Sequence, residues 1–146
     1  MEIVSKSIKE NMAVAQDFLN QILKGKKSSS GALVIALSGD LGTGKTSFTQ
    51  AVAKILGIKN KINSPTFVIM KKYSIKTGEY KFLYHLDAYR LKNEKELLHL
   101  GWQEIIDNKD NLIMIEWPEN VAKAMPKKYH KIGISHTKEG YRKFKI

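Results

Sequence analysis

The spacing of apolar and polar positions divides the first part of the chain into helix, strand and helix. Residues 8–23 carry apolar side chains at helical spacing, directly after a capping-box pattern at 7–10. Residues 32–38, ALVIALS, are almost entirely apolar, which is typical of a strand buried on both faces of a parallel sheet. Residues 48–56 repeat the helical spacing and are followed by Gly57, a common helix terminator.

The remainder of the chain predicts more strands joined by turns and short helices. Segments 66–75 and 80–86 flank Thr77 and Gly78 as a hairpin or meander. The other expected elements are a short helix from Asn93 to before Gly101, a buried strand at 111–115, a brief helix with Pro118 in its first turn, and a final hairpin from 129–135 and 141–146. These elements predict an α/β sandwich around a central mixed sheet, mainly parallel inside and antiparallel at its edge strands.

A glycine-rich segment, GDLGTGKT at 39–46, lies between the first buried strand and the second helix and matches G-x-x-x-x-G-K-[ST] in full. Glycines allow backbone N–H groups to face phosphate oxygens, and the N-terminus of the helix adds partial positive charge. Lys45 can then reach the β- and γ-phosphates of a nucleotide, and the Thr46 hydroxyl can ligate Mg²⁺. The alternative is a glycine turn with a chance lysine, but the flanking strand and helix favour a P-loop NTPase-like three-layer sandwich.

Two carboxylates end apolar strands and are candidates to hold the metal through its waters. Glu116 follows LIMI, and Asp87 follows FLYHL. Ligands of an open α/β sheet bind beyond the carboxyl ends of its strands, so both positions are suitable, although exposed carboxylates at strand ends are common. Thr66, in the segment SPTF at 64–67, is a candidate sensor of the γ-phosphate, with simple pairing in the sheet as the equal alternative.

Composition and charge narrow the class of protein further. With 146 residues, 42% hydrophobic and 27% charged, we expect one globular domain over 1–146. The absence of cysteine excludes disulfides and thiolate metal sites, and no apolar stretch has the length of a membrane span or the pattern of a signal peptide, so we expect a cytoplasmic protein. The net charge is +11, yet only two of the 25 basic residues are Arg, which favours nonspecific attraction over base readout.

Taken together, four segments resemble the TsaE family, the small ATPases of bacterial tRNA threonylcarbamoyladenosine synthesis. In chain order they are GDLGTGKTSF, SPTF, YHLDAYRL and IEWPEN, between residues 39 and 120. The resemblance implies ATP and Mg²⁺ as cofactors and slow hydrolysis of ATP by the protein alone. It also implies, as partners, the threonylcarbamoyl-transferase (TsaD) and its dimerising paralogue (TsaB), which modify adenosine-37 of tRNA and which ATP hydrolysis would reset between turnovers.

The same resemblance implies roles for individual residues. Lys45, Asp87 and Thr66 would act in catalysis, with Asp87 positioning the waters of the metal or the attacking water and Thr66 sensing the γ-phosphate. Thr46 and Glu116 would hold Mg²⁺. The residues implied to contact ATP are Gly42, Thr43, Gly44, Lys45, Thr46, Ser47, Ser7 near the adenine, and Arg142 near the C-terminus.

Further residues are placed by the resemblance beside the nucleotide or a partner. Trp117 would lie next to the nucleotide, or else be a structural indole. Tyr89 and Arg90 would contact the partner, unless Tyr89 packs at the edge of the sheet. Thr43 and Ser47 depart from the family pattern, which has alanine and a second threonine there, and Thr43 is expected to bring one more hydroxyl near the phosphates.

Two rival functions remain open from the sequence. A small-molecule kinase needs a lid and several arginines around the moving phosphoryl group, and this chain has two arginines and no inserted lid. A nucleic-acid-binding module would interleave aromatic residues with a basic stripe, which this sequence lacks. The many lysines suggest instead that a basic face helps the protein approach a tRNA-loaded complex in a salt-sensitive way.

Overall fold

The computed structural model describes residues 1–25, 27, 30–40, 42–62 and 69–146. The strands are β1 Glu2–Ser5, β2 Leu33–Ser38, β3 Met70–Ser74, β4 Phe82–Asp87, β5 Asn111–Glu116, β6 His130–His136 and β7 Arg142–Lys145. The helices are α1 Ile8–Ile22, α2 Lys45–Ile55, α3 Lys95–His99 and α4 Trp102–Asp107, with a 3₁₀ segment at Pro118–Ala124. No helix in these ranges is long and apolar enough to cross a membrane.

The seven strands form one sheet in the order β1-β7-β6-β2-β5-β4-β3. β2 pairs in parallel with β5 and β6, and β5 pairs in parallel with β4, so the four central strands point the same way. The pairs towards both edges, β1–β7, β6–β7 and β3–β4, are antiparallel. The predicted mixed sheet is therefore confirmed, and the carboxyl ends of β2, β4 and β5 meet at one edge.

Helices cover the sheet on both faces, which confirms the predicted three layers. On one face α1 and α2 pack over the sheet, where the rings of Phe18 and Phe48 have centroids 6.1 Å apart and those of Phe48 and Phe144 have centroids 5.8 Å apart. On the other face α3, α4 and the 3₁₀ segment surround Trp102, which is fully buried and donates its Nε1–H to the Ala124 carbonyl oxygen at 2.8 Å.

The first helix begins where the capping box predicts, but its buried face is shifted. The Ser7 hydroxyl accepts the Glu10 backbone N–H at 3.1 Å, as an N-cap does. Ile8, the first residue of the predicted apolar stripe, is 84% exposed, whereas Val14 and Phe18 are buried. The buried face of α1 is therefore the face that contacts α2 and the sheet.

Two elements of the structure were not expected from the sequence. β1 is only four residues long and forms by pairing with β7 at the far end of the chain. α4 is six residues long and starts after Gly101, whose φ of 79° is left-handed. Both are too short for a periodic pattern to identify them. Of the predicted strand at 66–75, the structure shows Met70–Ser74, with Ile69 and Ile75 outside the strand; 66–68 lie outside the described residues.

Candidate functional site

The glycine-rich loop joins β2, at the centre of the sheet, to the first turn of α2. At Gly44 φ is 107°, a conformation that side-chain-bearing residues rarely adopt, and a Cβ there would lie 2.7 Å from Cζ of Arg142. A Cβ on Gly39 would collide with the carbonyl oxygen of Ile134 in β6. The loop can therefore follow this path only with glycine at both positions, and the path brings Arg142 of β7 over the N-terminus of α2.

Lys45 begins α2 and is 5% exposed. Its Nζ donates to the carbonyl oxygen of Gly39 and, at 3.0 Å, to that of Asp40, and it lies 4.4 Å from the centroid of the Trp117 ring. The Thr43 hydroxyl donates to the same Asp40 oxygen at 2.8 Å. The ammonium group is thus held at the inner side of the loop by weak neutral acceptors rather than by a carboxylate.

The two candidate carboxylates end neighbouring strands. Asp87 of β4 and Glu116 of β5 are register partners in the parallel pair. Glu116 is only 3% exposed, so the reading of it as an exposed strand-end carboxylate is wrong. Its Oε2 accepts from His85 Nε2 at 2.6 Å and from the Thr46 hydroxyl at 3.3 Å, which ties the first turn of α2 to the end of the sheet.

Asp87 is partly exposed, and its Oδ1 accepts the backbone N–H of Tyr89 at 3.0 Å. Burial raises the pKa of this carboxyl above its ordinary value; the Tyr89 N–H bond opposes the shift, and the nearby charge of Glu116 adds to it. Weaker attractions to His85 and Lys45 also lower the pKa. A cation that approaches Asp87 would therefore stabilise the charged form of this carboxyl.

A cavity of about 400 Å³ opens at this edge of the sheet, within the range typical of small-molecule sites. It is lined by Gly42, Gly44, Lys45, Thr46, Ser47, Asp87, Tyr89, Glu116, Trp117 and Arg142. The lining comes from the glycine-rich loop, α2, the ends of β4 and β5, and the start of β7. The position agrees with the rule that open α/β sheets bind ligands beyond the carboxyl ends of their strands.

Trp117 and Tyr89 form one wall of the cavity. Trp117 has φ 59° and ψ 50°, a left-handed conformation that is rare for a residue with a large side chain. Its ring centroid lies 5.1 Å from that of Tyr89, and the Asn120 amide donates to the carbonyl oxygens of Ala88 and Tyr89 at 2.9 and 3.2 Å. These contacts hold the segments after β4 and β5 together.

Several residues implied by the resemblance lie elsewhere. Ser7 caps α1 and does not line the cavity. Thr43 does not line it either: it is 6% exposed, and its hydroxyl donates to the Asp40 carbonyl oxygen within the loop. Arg90 is exposed and absent from the lining, and Thr66 lies outside the described residues.

His85 and Asn120 lie within the segments YHLDAYRL and IEWPEN, but the sequence assigned no role to either residue. His85 precedes Asp87 by two residues in β4, and side chains alternate along a strand, so both face the same side. That spacing was the available signal for His85. The contacts of Asn120 could not be predicted from local sequence, because its two acceptors, Ala88 and Tyr89, are 32 and 31 residues away along the chain.

The fold and the site together define a P-loop NTPase-like α/β protein, in which a glycine-rich loop and its lysine face two acidic strand ends. Comparison with known families is more specific. The family model described as threonylcarbamoyl adenosine biosynthesis protein TsaE matches residues 5–144. This chain belongs to the TsaE family, as the sequence motifs predicted.

Curated relatives and a solved structure agree with this assignment. The tRNA threonylcarbamoyladenosine biosynthesis proteins TsaE of Haemophilus influenzae and Bacillus subtilis are 36% and 40% identical over 95 and 101 residues, which cover 65% and 69% of this chain. The chain spans 58% and 60% of those two proteins. The TsaE of Borreliella burgdorferi is 36% identical over 84% of this chain and 81% of its own length. The crystal structure of Bacillus subtilis YdiB matches with a TM-score of 0.74 at 26% identity, covering 99% of this chain and 82% of that one.

Proposed function

We propose that this protein is a Mg²⁺-dependent ATPase that serves the formation of threonylcarbamoyladenosine at adenosine-37 of bacterial tRNA. The observation that carries the proposal is the convergence of Lys45, Thr46, Asp87 and Glu116 on one cavity beside the N-terminus of α2. A site for a magnesium nucleotide requires a lysine for the phosphates, and a hydroxyl and carboxylates for the metal and its waters. Membership of the TsaE family supports the tRNA pathway.

The polyphosphate would be held by the loop and the start of α2. Backbone N–H groups at the N-terminus of an 11-residue helix attract anions, and Gly42 and Gly44 leave the approach open. Lys45 gives up two carbonyl contacts to reach the β- and γ-phosphate oxygens, an exchange of neutral acceptors for charged ones. Arg142 and Ser47, which also line the cavity, supply further donors.

The oxygen groups at the site fit a magnesium ion that arrives with phosphates. The Thr46 hydroxyl and the Glu116 and Asp87 carboxylates are hard donors of the kind Mg²⁺ prefers. In the part of the chain that the structure describes, no group of three or more His, Cys, Asp or Glu side chains could hold a metal alone. An ion bound with few protein ligands, completed by water and phosphate, is the usual arrangement for Mg²⁺ in nucleotide sites.

The proposed reaction is attack of water on the γ-phosphorus of ATP, with cleavage of the bond to the β–γ bridging oxygen and release of ADP and phosphate. When bound, Mg²⁺ neutralises charge on the β- and γ-oxygens. Lys45 stabilises the same oxygens, and Asp87 orients the attacking water and accepts its proton. The raised pKa of Asp87 suits that task, because a more basic carboxylate is a better proton acceptor. Thr66 as a γ-phosphate sensor remains a prediction.

The proposed partners are the threonylcarbamoyl-transferase (TsaD) and its dimerising paralogue (TsaB), with tRNA reached through their complex. No second small-molecule acceptor is needed, since water receives the phosphoryl group and the output is a change in the complex between turnovers. The exposure of Tyr89 beside the cavity (45%) and of the neighbouring Arg90 supports the proposal that they contact a partner that responds to the nucleotide. Action on tRNA implies a cytoplasmic protein.

The experiment that tests the proposal measures phosphate release from ATP with Mg²⁺ and no acceptor. The wild type is expected to turn over slowly, and Lys45→Ala to abolish turnover. Lys54→Ala is the matched control, because Lys54 is an exposed lysine in the last turn of the same helix. A silent wild type would favour a kinase, and turnover retained by Lys45→Ala would place the site elsewhere.

The role in tRNA modification needs a separate measurement. The protein is expected to co-purify with the transferase and its paralogue, and ATP is expected to change the yield. An unchanged yield with and without ATP would leave an ATPase with no coupling to this complex.

A further inference from the structure

We propose that His85 is a positioning residue that fixes the Glu116 carboxylate, so that one oxygen of Glu116 is committed to the protein and the other faces the divalent ion. The inference rests on the proposed function, because it concerns how the magnesium nucleotide is held. Neither the P-loop pattern nor the two strand-end carboxylates require a histidine at this position.

The contact lies within the protein core. His85 is fully buried and Glu116 is 3% exposed, and His85 Nε2 lies 2.6 Å from Glu116 Oε2. The two residues belong to adjacent parallel strands, whose pairing fixes their backbone positions. A hydrogen bond to an ionised carboxylate in a low-dielectric environment is among the stronger polar contacts in proteins.

The histidine ring makes no other polar contact in the described part of the chain. Its Nδ1 is buried and has no hydrogen-bond partner there. A carboxylate oxygen accepts hydrogen bonds, so we assign to His85 the tautomer in which Nε2–H donates to Glu116. A buried nitrogen without a partner is a cost that an apolar side chain of similar size would avoid. The single contact with Glu116 is therefore the property that distinguishes His85 from a packing residue.

The contact leaves the two oxygens of Glu116 in different situations. Oε2 accepts from both His85 and Thr46, whereas Oε1 has no hydrogen-bond partner among the described residues. If the Thr46 hydroxyl turns to Mg²⁺, as its place after Lys45 implies, His85 alone continues to hold Oε2. The carboxylate then stays oriented with Oε1 free for the metal or its water. Partners of this kind, behind the metal ligands, typically change metal affinity or activity by about 10–100-fold when removed.

The test measures binding of a fluorescent, nonhydrolysable ATP analogue while Mg²⁺ is varied. In His85→Phe we expect the Mg²⁺ concentration for half-maximal tight binding to rise by roughly 10–100-fold. Nucleotide affinity in EDTA should be unchanged, because no hydrogen bond joins His85 to Lys45 or to the described residues of the loop. His85→Gln, which can place an amide N–H near the position of Nε2, should restore much of the wild-type Mg²⁺ dependence.

Leu83→Val is the matched control for loss of stability. Leu83 is fully buried on the same face of β4, two residues before His85, and belongs to the apolar core. The variant should lower the melting temperature and leave the Mg²⁺ midpoint unchanged. If His85→Phe does not fold, His85→Asn, whose amide is too short to reach Glu116, gives the same comparison.

The outcomes separate the inference from the proposed function. An unchanged Mg²⁺ midpoint in folded His85→Phe or His85→Asn, or an equal rise in Leu83→Val, would overturn the positioning of Glu116 and leave the ATPase intact. A wild type that binds the analogue equally with and without Mg²⁺ would overturn the magnesium site itself. A raised midpoint in His85→Phe with recovery in His85→Gln supports the assignment.

Discussion

At the scale of single residues, the catalytic role proposed for Asp87 conflicts with the effect of its charge on the stability of the protein. Burial raises the pKa of its carboxyl, and the neighbouring charge of Glu116 raises it further. A carboxyl whose pKa is higher in the folded state binds protons more tightly there than in the unfolded chain. Stability from this group is therefore greatest at acid pH and is lost as the pH rises from the ordinary pKa through the raised one. At neutral pH its charge destabilises the metal-free protein.

Asp87→Asn should therefore affect stability and turnover in opposite directions. The amide oxygen can still accept the Tyr89 N–H, while the buried charge is removed. We expect a melting temperature at pH 7 equal to or above that of the wild type, with the difference shrinking as the pH is lowered through the raised pKa of the wild-type carboxyl. ATP hydrolysis should fall by roughly 10²-fold, as loss of a general base does, with a smaller effect on ATP binding.

Melting curves across this pH range and single-turnover hydrolysis measure both effects on one preparation. If the melting temperature of Asp87→Asn at pH 7 were below that of the wild type, the charge of Asp87 would not be destabilising the protein. Equal losses of binding and hydrolysis would make Asp87 a binding residue only.

Glu116 differs from Asp87 because its charge has partners. His85 and Thr46 both donate to its Oε2. Glu116→Gln replaces the ionised acceptor with a neutral amide, so turnover should fall by roughly 10²-fold or more, as losses of preorganised charge do. The measurement is turnover as a function of Mg²⁺ concentration. Wild-type turnover at low Mg²⁺ would remove Glu116 from the metal site.

At the scale of elements, the loop between β2 and α2 depends on glycine backbone more than on side chains. Gly44 is the N-cap of α2, with φ 107°, and stands where Arg142 crosses the helix N-terminus. A methyl group there would displace the guanidinium and strain the backbone. Because the first N–H groups of α2 follow directly, the strain falls on the atoms that would contact phosphate.

Comparison of Gly44→Ala with Gly78→Ala separates the effect of backbone strain on stability from an effect on nucleotide binding. Gly78 has φ 88° in the turn between β3 and β4, and a Cβ there would meet no atom within 4 Å. Both substitutions should lower the free energy of unfolding by about 1–2 kcal/mol, the cost of a left-handed alanine. Only Gly44→Ala should weaken binding of a fluorescent ATP analogue, by at least about 10-fold, the affinity lost for every 1.4 kcal/mol. Equal affinity of the two variants for the analogue would contradict the proposal that the glycine-rich loop holds the phosphates.

The predicted elements are those whose signal lies within a few consecutive residues. The apolar run of β2 and the helical spacing of α2 need only local sequence, and both are confirmed. The position of β1 depends on β7, which lies at the other end of the chain, so no local pattern could place it. The exposed Ile8 in α1 has the same cause, because an apolar stripe predicts a helix but not which residues meet the sheet.

At the scale of the whole molecule, sheet topology assembles the site from distant segments. The sequence predicted that Asp87 and Glu116 end strands, and the parallel pairing of β4 with β5 makes them neighbours. It did not predict that His85 contacts Glu116, because that contact requires the strand register. The motif residues were thus visible from the sequence, but the contact between His85 and Glu116 was not.

The distribution of charge is the remaining whole-molecule property. The net charge is +11. In β7, Phe144 is buried against α2, so its neighbours Lys143 and Lys145 face the opposite side of the sheet. Lys131 of β6 is exposed. We define the basic sheet face as Lys131, Lys143 and Lys145; it lies away from the layer formed by α1 and α2.

Association with a tRNA-loaded transferase complex should therefore slow as salt is raised between about 50 and 200 mM, since exposed charges are screened over about 10 Å at 0.1 M. ATP turnover by the isolated protein should change little, because Lys45 and Glu116 are buried. Replacing all three lysines of the basic sheet face with Gln should flatten the salt dependence of the association rate. Replacing Lys9, Lys54 and Lys76, which are exposed elsewhere, removes the same charge and should flatten it less. A rate that does not depend on salt would mean that the positive charge does not steer this encounter.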